Sequence, residues 1–220
     1  MARVLITGSN QGIGLELAKQ YKARGDEVLA VCRKASKELQ DSGVEIIENV
    51  DVTDDASVAG LVAAVGDRQI DMLINNAGIL TRESFDDLDF DRMRLQYEVN
   101  TLGPLRVSKA LCEKMSDGGK LGIVTSRVGS MADNSSGGNY GYRMSKAAAN
   151  MVGVNLAHDL RERNIAVGLL HPGYVRTNMT GGNGETEAAT AASGLIERMD
   201  ALSMASTGTF WHAEGYELPW

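Results

Sequence analysis

Tyr142 and Lys146 stand one helical turn apart in the stretch Tyr142-Arg143-Met144-Ser145-Lys146, and a phenol beside an ammonium can exchange a proton with a bound molecule. Residues 144–154 are mostly helix formers with apolar side chains at helical spacing, which predicts a long, mostly buried helix. Positions i and i+4 are neighbours on a helix surface, so the cation would favour the ionised phenol by charge attraction. An isolated tyrosine, with a pKa of about 10, releases its proton reluctantly near neutral pH. An ordinary surface pair would use the same five residues, so the rest of the chain has to decide. Ser126 is a second candidate, a hydroxyl at the carboxyl end of a strand expected over residues 120–125. Asn100 is a third, in the middle of a helix expected over residues 90–115. Pro104 cannot donate to the Asn100 carbonyl, which leaves a free acceptor where an ordered water could lie beside Lys146. A proline kink that only relieves packing is the plainer alternative.

The elements that would position these groups alternate strand and helix from the start of the chain. A strand over residues 3–7 runs into Thr7-Gly8-Ser9-Asn10-Gln11-Gly12-Ile13-Gly14, and an amphipathic helix follows over residues 15–24. Strand, glycine loop and helix in this order can hold a dinucleotide. Gly8 permits the tight turn, Gly12 lets backbone approach a pyrophosphate, and Gly14 lets the helix pack closely on the strand. The helix N-terminus then offers free N–H groups to the phosphates. Three glycines on their own are also an ordinary turn.

The second strand, residues 27–32, ends at Cys32-Arg33-Lys34. An acid at this strand end would bind the adenine-ribose hydroxyls, whereas a cation accommodates a 2′-phosphate. Arg33 therefore favours NADP(H), with NAD(H) still possible because Gln11 supplies no second cation in the glycine loop. A solvated loop charge is the alternative for Arg33. After a third strand over residues 44–48, Thr53 or Asp54 can cap a helix over residues 55–65. Asp51 reads equally as part of that capping run and as a ligand for an adenine amino group. The fourth strand, residues 70–74, ends in Asn75-Asn76-Ala77-Gly78, where small residues would let a cofactor lie against backbone while the amides tie strands together. A plain turn uses the same letters. The Gly-, Ser- and Asn-rich segment 127–141 reads as a loop beside a site. A sixth strand over residues 165–170 leads to His171-Pro172-Gly173-Tyr174-Val175-Arg176-Thr177, and residues 178–190 read as a mobile lid. A helix over residues 186–202 and a strand over residues 208–211 close the alternation.

Composition narrows the function. The chain has 220 residues, 43% hydrophobic and 23% charged, which is one soluble globular domain. A net charge of -7 argues against a nucleic-acid surface. Cys32 and Cys112 are too few for a disulfide framework or a thiolate metal site, and His158, His171 and His212 lack metal-ligand spacing. With no charged leader and no long apolar span, a cytoplasmic protein without membrane partners is expected.

Taken together, the motifs resemble the short-chain dehydrogenase/reductase family in its compact single-domain branch, most like its carbonyl-reductase-like and C-factor-like members. The resemblance rests on Thr7-Gly8 with Gly12-Ile13-Gly14, Asp51, Asn75-Asn76-Ala77-Gly78, Asn100, Ser126, Tyr142 with Lys146, and Pro172-Gly173 with Thr177. It implies an α/β fold: a Rossmann-like, doubly wound parallel sheet of about seven strands with helices on both faces, in one domain over residues 1–220. It also implies a catalytic set of Asn100, Ser126, Tyr142 and Lys146. Tyr142 would be the acid in reduction and the base in oxidation, Lys146 would lower its pKa and hold the nicotinamide ribose, Ser126 would steady the substrate oxygen, and Asn100 would fix a relay water. The cofactor would lie along Gly8, Asn10, Gln11, Gly12, Ile13 and Gly14. Its adenosine end would meet Arg33, Asp51 and Val52, and its middle would meet Asn76, Ala77 and Gly78. Its nicotinamide would lie at Pro172, Gly173, Val175 and Thr177, beside Tyr142 and Lys146.

Two departures from the family pattern stand out. The Ser126–Tyr142 interval is longer than the family's usual one, and Ser130 sits nearer the usual distance. Ser126 is preferred because Gly129 follows it by three residues and the surplus falls in the glycine-rich loop. Tyr140 has Met144 rather than a lysine one turn on, and it would either line a substrate pocket or simply pack. The leading expectation is an NADP(H)-dependent interconversion of a small carbonyl and its alcohol. A cofactor-binding signalling or regulatory role is the alternative, and an epimerase or dehydratase is disfavoured because no added substrate domain follows Trp220. By resemblance the long helices, residues 90–115 and 144–161, would pair copies into a homodimer or homotetramer, with residues 217–220 reaching a neighbour.

Overall fold

Strand β1 (Arg3–Thr7) is buried on both faces, as the unbroken apolar run Val4-Leu5-Ile6 requires. It is the centre from which the sheet is wound. The computed structural model describes residues 1–220. Helix α1 (Gly12–Ala23) follows β1 and leads to β2 (Glu27–Val31), a short helix α2 (Lys37–Asp41) and β3 (Glu45–Ile47). Helix α3 (Asp55–Val65) then crosses back to β4 (Ile70–Asn75) on the other side of β1. From there the chain forms α4 (Phe90–Tyr97), α5 (Gly103–Leu111), β5 (Met115–Val124), α6 (Tyr140–Asp159) and β6 (Ala166–His171). A two-residue strand pair, β7 (Val175–Arg176) with β8 (Thr186–Glu187), precedes α7 (Ala188–Ala201) and β9 (Phe210–His212). The seven-stranded sheet runs β3-β2-β1-β4-β5-β6-β9, with every pair parallel. The expected doubly wound α/β sheet is the observed one.

Side chains alternate across that sheet. Leu5, Leu29, Leu73 and Leu121 pack with Val58, Leu61, Val107, Leu111 and Leu156 of α3, α5 and α6. Val4, Ile6, Val28 and Ile74 pack with Leu17, Tyr21, Leu195 and Met199 of α1 and α7. Both helix layers therefore hold the sheet rigid at the edge where its strands end.

Residues 90–115 differ from the single helix expected. The run splits into α4, a π-turn over Glu98–Leu102 and α5, followed by a 3-10 turn over Cys112–Lys114. The Gly103 N–H reaches back five residues to the Glu98 carbonyl. Pro104 cannot donate and its ring crowds the carbonyl one turn back, so the wider turn relieves the clash without ending the helix. Near the C-terminus the chain packs back on itself. The Trp220 ring stacks on Phe210 at 5.5 Å, and the Trp220 carbonyl accepts from the Ala132 N–H at 2.8 Å.

Candidate active site

The ends of β1, β2, β3 and β4 open into one cleft of about 590 Å³, at the point where the winding reverses between β1 and β4. Residues 7–14 form one wall. Gly8 and Gly12 take the left-handed conformation, with φ of 69° and 55°. A Cβ on Gly14 would collide with the Gly8 carbonyl, so only glycine lets α1 start this close to β1. Helix α1 begins without a side-chain cap, because Gln11 turns its Oε1 to the Asn178 Nδ2 at 2.8 Å across the cleft mouth. The first N–H groups of α1 are left for an anion. A glycine-lined cradle ending in an uncapped helix terminus fits a pyrophosphate.

The opposite wall is knitted by amides. The Asn76 Nδ2 donates to the Thr7 and Gly8 carbonyls at 3.0 and 3.2 Å, and the N–H groups of Asn76 and Ala77 both donate to Thr7 Oγ1. Asn76, Ala77 and Gly78 are thereby fixed against β1 with their small surfaces on the cleft. Arg33 and Lys34 lie together at its far end, both exposed and neither in an ion pair. Asp51 and Val52 line it as well. The cap of α3 is Asp54, whose carboxylate accepts from Ala56 and Ser57, so Asp51 is not a cap. Its carboxylate accepts from the Thr53 N–H at 2.9 Å and hydroxyl at 2.7 Å, and these bonds hold its pKa below the usual carboxylate value. Asn10, Ile13 and Thr177 also line the cleft. Pro172 and Gly173 lie on the connection from β6 into β7, and Val175 opens β7. Sequence reasoning missed the apolar lining from Ile79, Leu95, Val99 and Met179, and it passed over Lys34, whose charge beside Arg33 was the available signal.

Deeper along the same sheet edge the four acid/base candidates come together. Asn100 sits in the π-turn, fully buried. Its Oδ1 accepts from the Ile79 N–H at 2.8 Å, and its Nδ2 donates to the Ile79 carbonyl at 2.9 Å and to Ser145 Oγ at 3.0 Å. Ser145 Oγ donates in turn to the Tyr142 carbonyl at 2.8 Å, so Asn100 and Tyr142 are tied through one hydroxyl. The Ser126 hydroxyl lies beside the Tyr142 phenol and favours its ionised form. Ser130 is buried elsewhere, its hydroxyl accepting from the Asp133 N–H at 3.1 Å. The phenol is pushed up to about 12 by desolvation, with the Ser126 contact pulling the other way.

Lys146 is buried on α6 one turn after Tyr142. Its Nζ donates to the Val124 carbonyl at 2.9 Å and lies 5.7 Å from the centroid of the Tyr142 ring. Burial lowers its pKa to about 8. The ammonium stands beside Gly78, where a Cβ would be 3.7 Å from Nζ and 3.2 Å from the Asn100 Oδ1. Lys146 is therefore placed between the cleft floor and the Tyr142 side of the site.

Comparison with known proteins identifies the family. The family described as short chain dehydrogenase matches residues 2–188. The chain is 42% identical over 226 residues, spanning all of both chains, to 1-hydroxy-2-glutathionyl-2-methyl-3-butene dehydrogenase of a Rhodococcus species. It is 40% identical over 154 residues to C-signal of Myxococcus xanthus, covering 69% of this chain and 93% of the other. The NADPH-bound carbonyl reductase from chicken fatty liver superposes with a TM-score of 0.92 at 30% identity, over 100% of this chain and 99% of that one. With the family matched over most of its length and a full-length relative at this identity, the chain belongs to the short-chain dehydrogenase/reductase family of NAD(P)-dependent oxidoreductases.

Proposed function

We propose that the protein interconverts a carbonyl and its alcohol with NADP(H), Tyr142 serving as the general acid in reduction and the base in oxidation. The observation that carries this reading is the clustering of Ser126, Tyr142, Lys146 and Asn100, with Asn100 and Lys146 beside Gly78, which lines the glycine-rich cleft. When bound, the cofactor supplies the hydride. Gly8, Asn10, Gln11, Gly12, Ile13 and Gly14 would hold its pyrophosphate, Arg33 its 2′-phosphate with Lys34 alongside, and Asp51 and Val52 its adenine. Asn76, Ala77 and Gly78 would flank its middle, and Pro172, Gly173, Val175 and Thr177 its nicotinamide.

The residues of this chain then account for the proton. Ser126 would donate a hydrogen bond to the substrate oxygen, where negative charge grows as the carbonyl carbon accepts hydride. Tyr142, protonated near neutral pH, gives its proton to that oxygen. Lys146 would hold the ribose hydroxyls and pass a proton back toward the phenol. The Asn100 side chain is spent on Ile79 and Ser145, so its carbonyl is what remains to hold a relay water. Residues 178–190 would act as a lid, with the Gln11–Asn178 contact as its catch.

The test is a titration with NADPH and with NADH, followed by turnover of aldehydes, ketones and quinones. Oxidation of a glutathionyl alcohol belongs in the panel because the Rhodococcus relative is named for one. Tighter NADPH binding with carbonyl-dependent cofactor oxidation supports the reading. Binding without turnover on any substrate would move the weight to a second reading, a cofactor-dependent regulatory protein, which the likeness to C-signal favours. That second reading expects a biological effect that survives Tyr142→Phe while cofactor binding persists.

A further inference from the structure

The loop between Ser126 and Tyr142 is the segment whose length departs from the family pattern, and one side chain gathers it. Arg143 follows Tyr142 on α6 and is only partly exposed. Its Nε donates to the Gly137 and Gly138 carbonyls, both at 3.1 Å, its Nη1 to the Val128 carbonyl at 3.2 Å, and its Nη2 to Ser136 Oγ at 2.9 Å. The guanidinium is thus spent on the two ends of one loop and not on a carboxylate. Gly137 and Gly138 both have positive φ, and a Cβ on either would meet nothing within 4 Å. The Gly137 N–H donates to Asn134 Oδ1 at 3.1 Å within the loop, and the bonds from Arg143 to the two carbonyls tie this end of the loop to α6. At the other end the Val128 N–H donates to Ser126 Oγ at 3.4 Å while the Val128 carbonyl is held by Arg143. Val128 is pinned between the two. Directly beside it, a Cβ on Gly129 would stand 2.7 Å from the Lys146 carbonyl carbon, so this turn lies against the backbone that carries Lys146.

We propose that Arg143 is a positioning residue that staples the 128–138 loop to the helix bearing Tyr142 and Lys146, and through Val128 sets where Ser126 and the substrate-side wall stand. The inference rests on the carbonyl-oxidoreductase reading above for its kinetic consequence, but not for its structural one. A planar guanidinium reaches three carbonyls and a hydroxyl at once, which a lysine ammonium cannot reproduce.

The experiment compares wild type, Arg143→Ala and Arg143→Lys in the full chain. Amide hydrogen exchange is followed over residues 128–138, and NADPH affinity, kcat and the carbonyl KM are measured at saturating NADPH. In both variants exchange over residues 128–138 is expected to quicken by about tenfold or more. The carbonyl KM is expected to rise by about tenfold, with NADPH affinity within about twofold of wild type. Unchanged exchange in Arg143→Ala overturns the staple. A faster-exchanging loop with kcat and the carbonyl KM both unchanged, or full rescue by Arg143→Lys, overturns its role in placing Ser126 and the substrate-side wall. Should wild type turn over no carbonyl, the function proposed above fails while the exchange result still decides the staple.

Discussion

At the scale of single residues, Ser126 and Ser130 separate cleanly because each hydroxyl has its own partner. Ser126 faces the Tyr142 phenol, whereas Ser130 holds the turn at Asp133. Ser126→Ala is therefore expected to lower kcat by about 10²–10³, the usual cost of one oxyanion donor, while Ser130→Ala keeps most of it. Steady-state kinetics on the two variants checks this, and the reverse ranking would reassign the serine. Lys146 gives a pH prediction. Burial depresses its pKa to about 8, so in the free protein the ammonium is present below that value and is lost as pH rises through it. Since kcat/KM reports the free enzyme, kcat/KM for NADPH is expected to fall as pH rises through about 8, and Lys146→Met should lack that limb. The spacing of Tyr142 and Lys146 showed that they share a face. It did not show that the ammonium turns to the Val124 carbonyl, because that contact depends on where β5 ends.

At the scale of elements, the close approach of α1 to β1 can be tested by adding one methyl. Gly14→Ala would drive a Cβ into the Gly8 carbonyl, and the strain must move either the glycine loop or the helix. An overpacked contact of this kind costs about 1–3 kcal/mol, so a lower melting temperature and at least tenfold weaker NADPH binding are expected, by thermal melts and titration. Retained affinity would mean that the glycine cradle does not set the cofactor's position. This loop was legible in the sequence because glycine is required by backbone geometry alone. Strands β1, β2 and β6 were legible because strands buried on both faces read as apolar runs, whereas β5 begins at Met115, five residues before the expected strand, because Met-Ser-Asp-Gly-Gly is not such a run. The β7–β8 pair was not, since two-residue strands are selected by their partner and not by their own residues. The break in residues 90–115 was half legible. Pro104 announced a disturbance at Asn100, but the widened turn starts upstream at Glu98, where packing decides how the helix absorbs it. Leu95, Val99 and Met179 came to the cleft by the same tertiary route.

At the scale of the whole molecule, no helix is long and apolar enough to cross a membrane. Phe90, Tyr97, Leu105, Met144 and Met151 are exposed large apolar side chains on α4, α5 and α6, with Phe90 and Met151 each 60% exposed. We propose that these helices pair between copies, so light scattering is expected to give a dimer or tetramer, and a monomer across the accessible concentration range would contradict that pairing. Ligand linkage reads the same molecule independently. NADPH at about 100 times its dissociation constant should stabilise the fold by about 2.7 kcal/mol, visible as a higher melting temperature.

The central claim, that Tyr142 moves the proton in a hydride-transfer reaction supported by a separately built cofactor cleft, is tested most directly by one comparison. NADPH affinity and carbonyl turnover are measured side by side for wild type and Tyr142→Phe. Turnover that falls by about 10²–10⁴ in the variant, with NADPH affinity preserved, is the predicted result. Turnover that persists in Tyr142→Phe would contradict the account, because Tyr142 is the phenol that Ser126 faces.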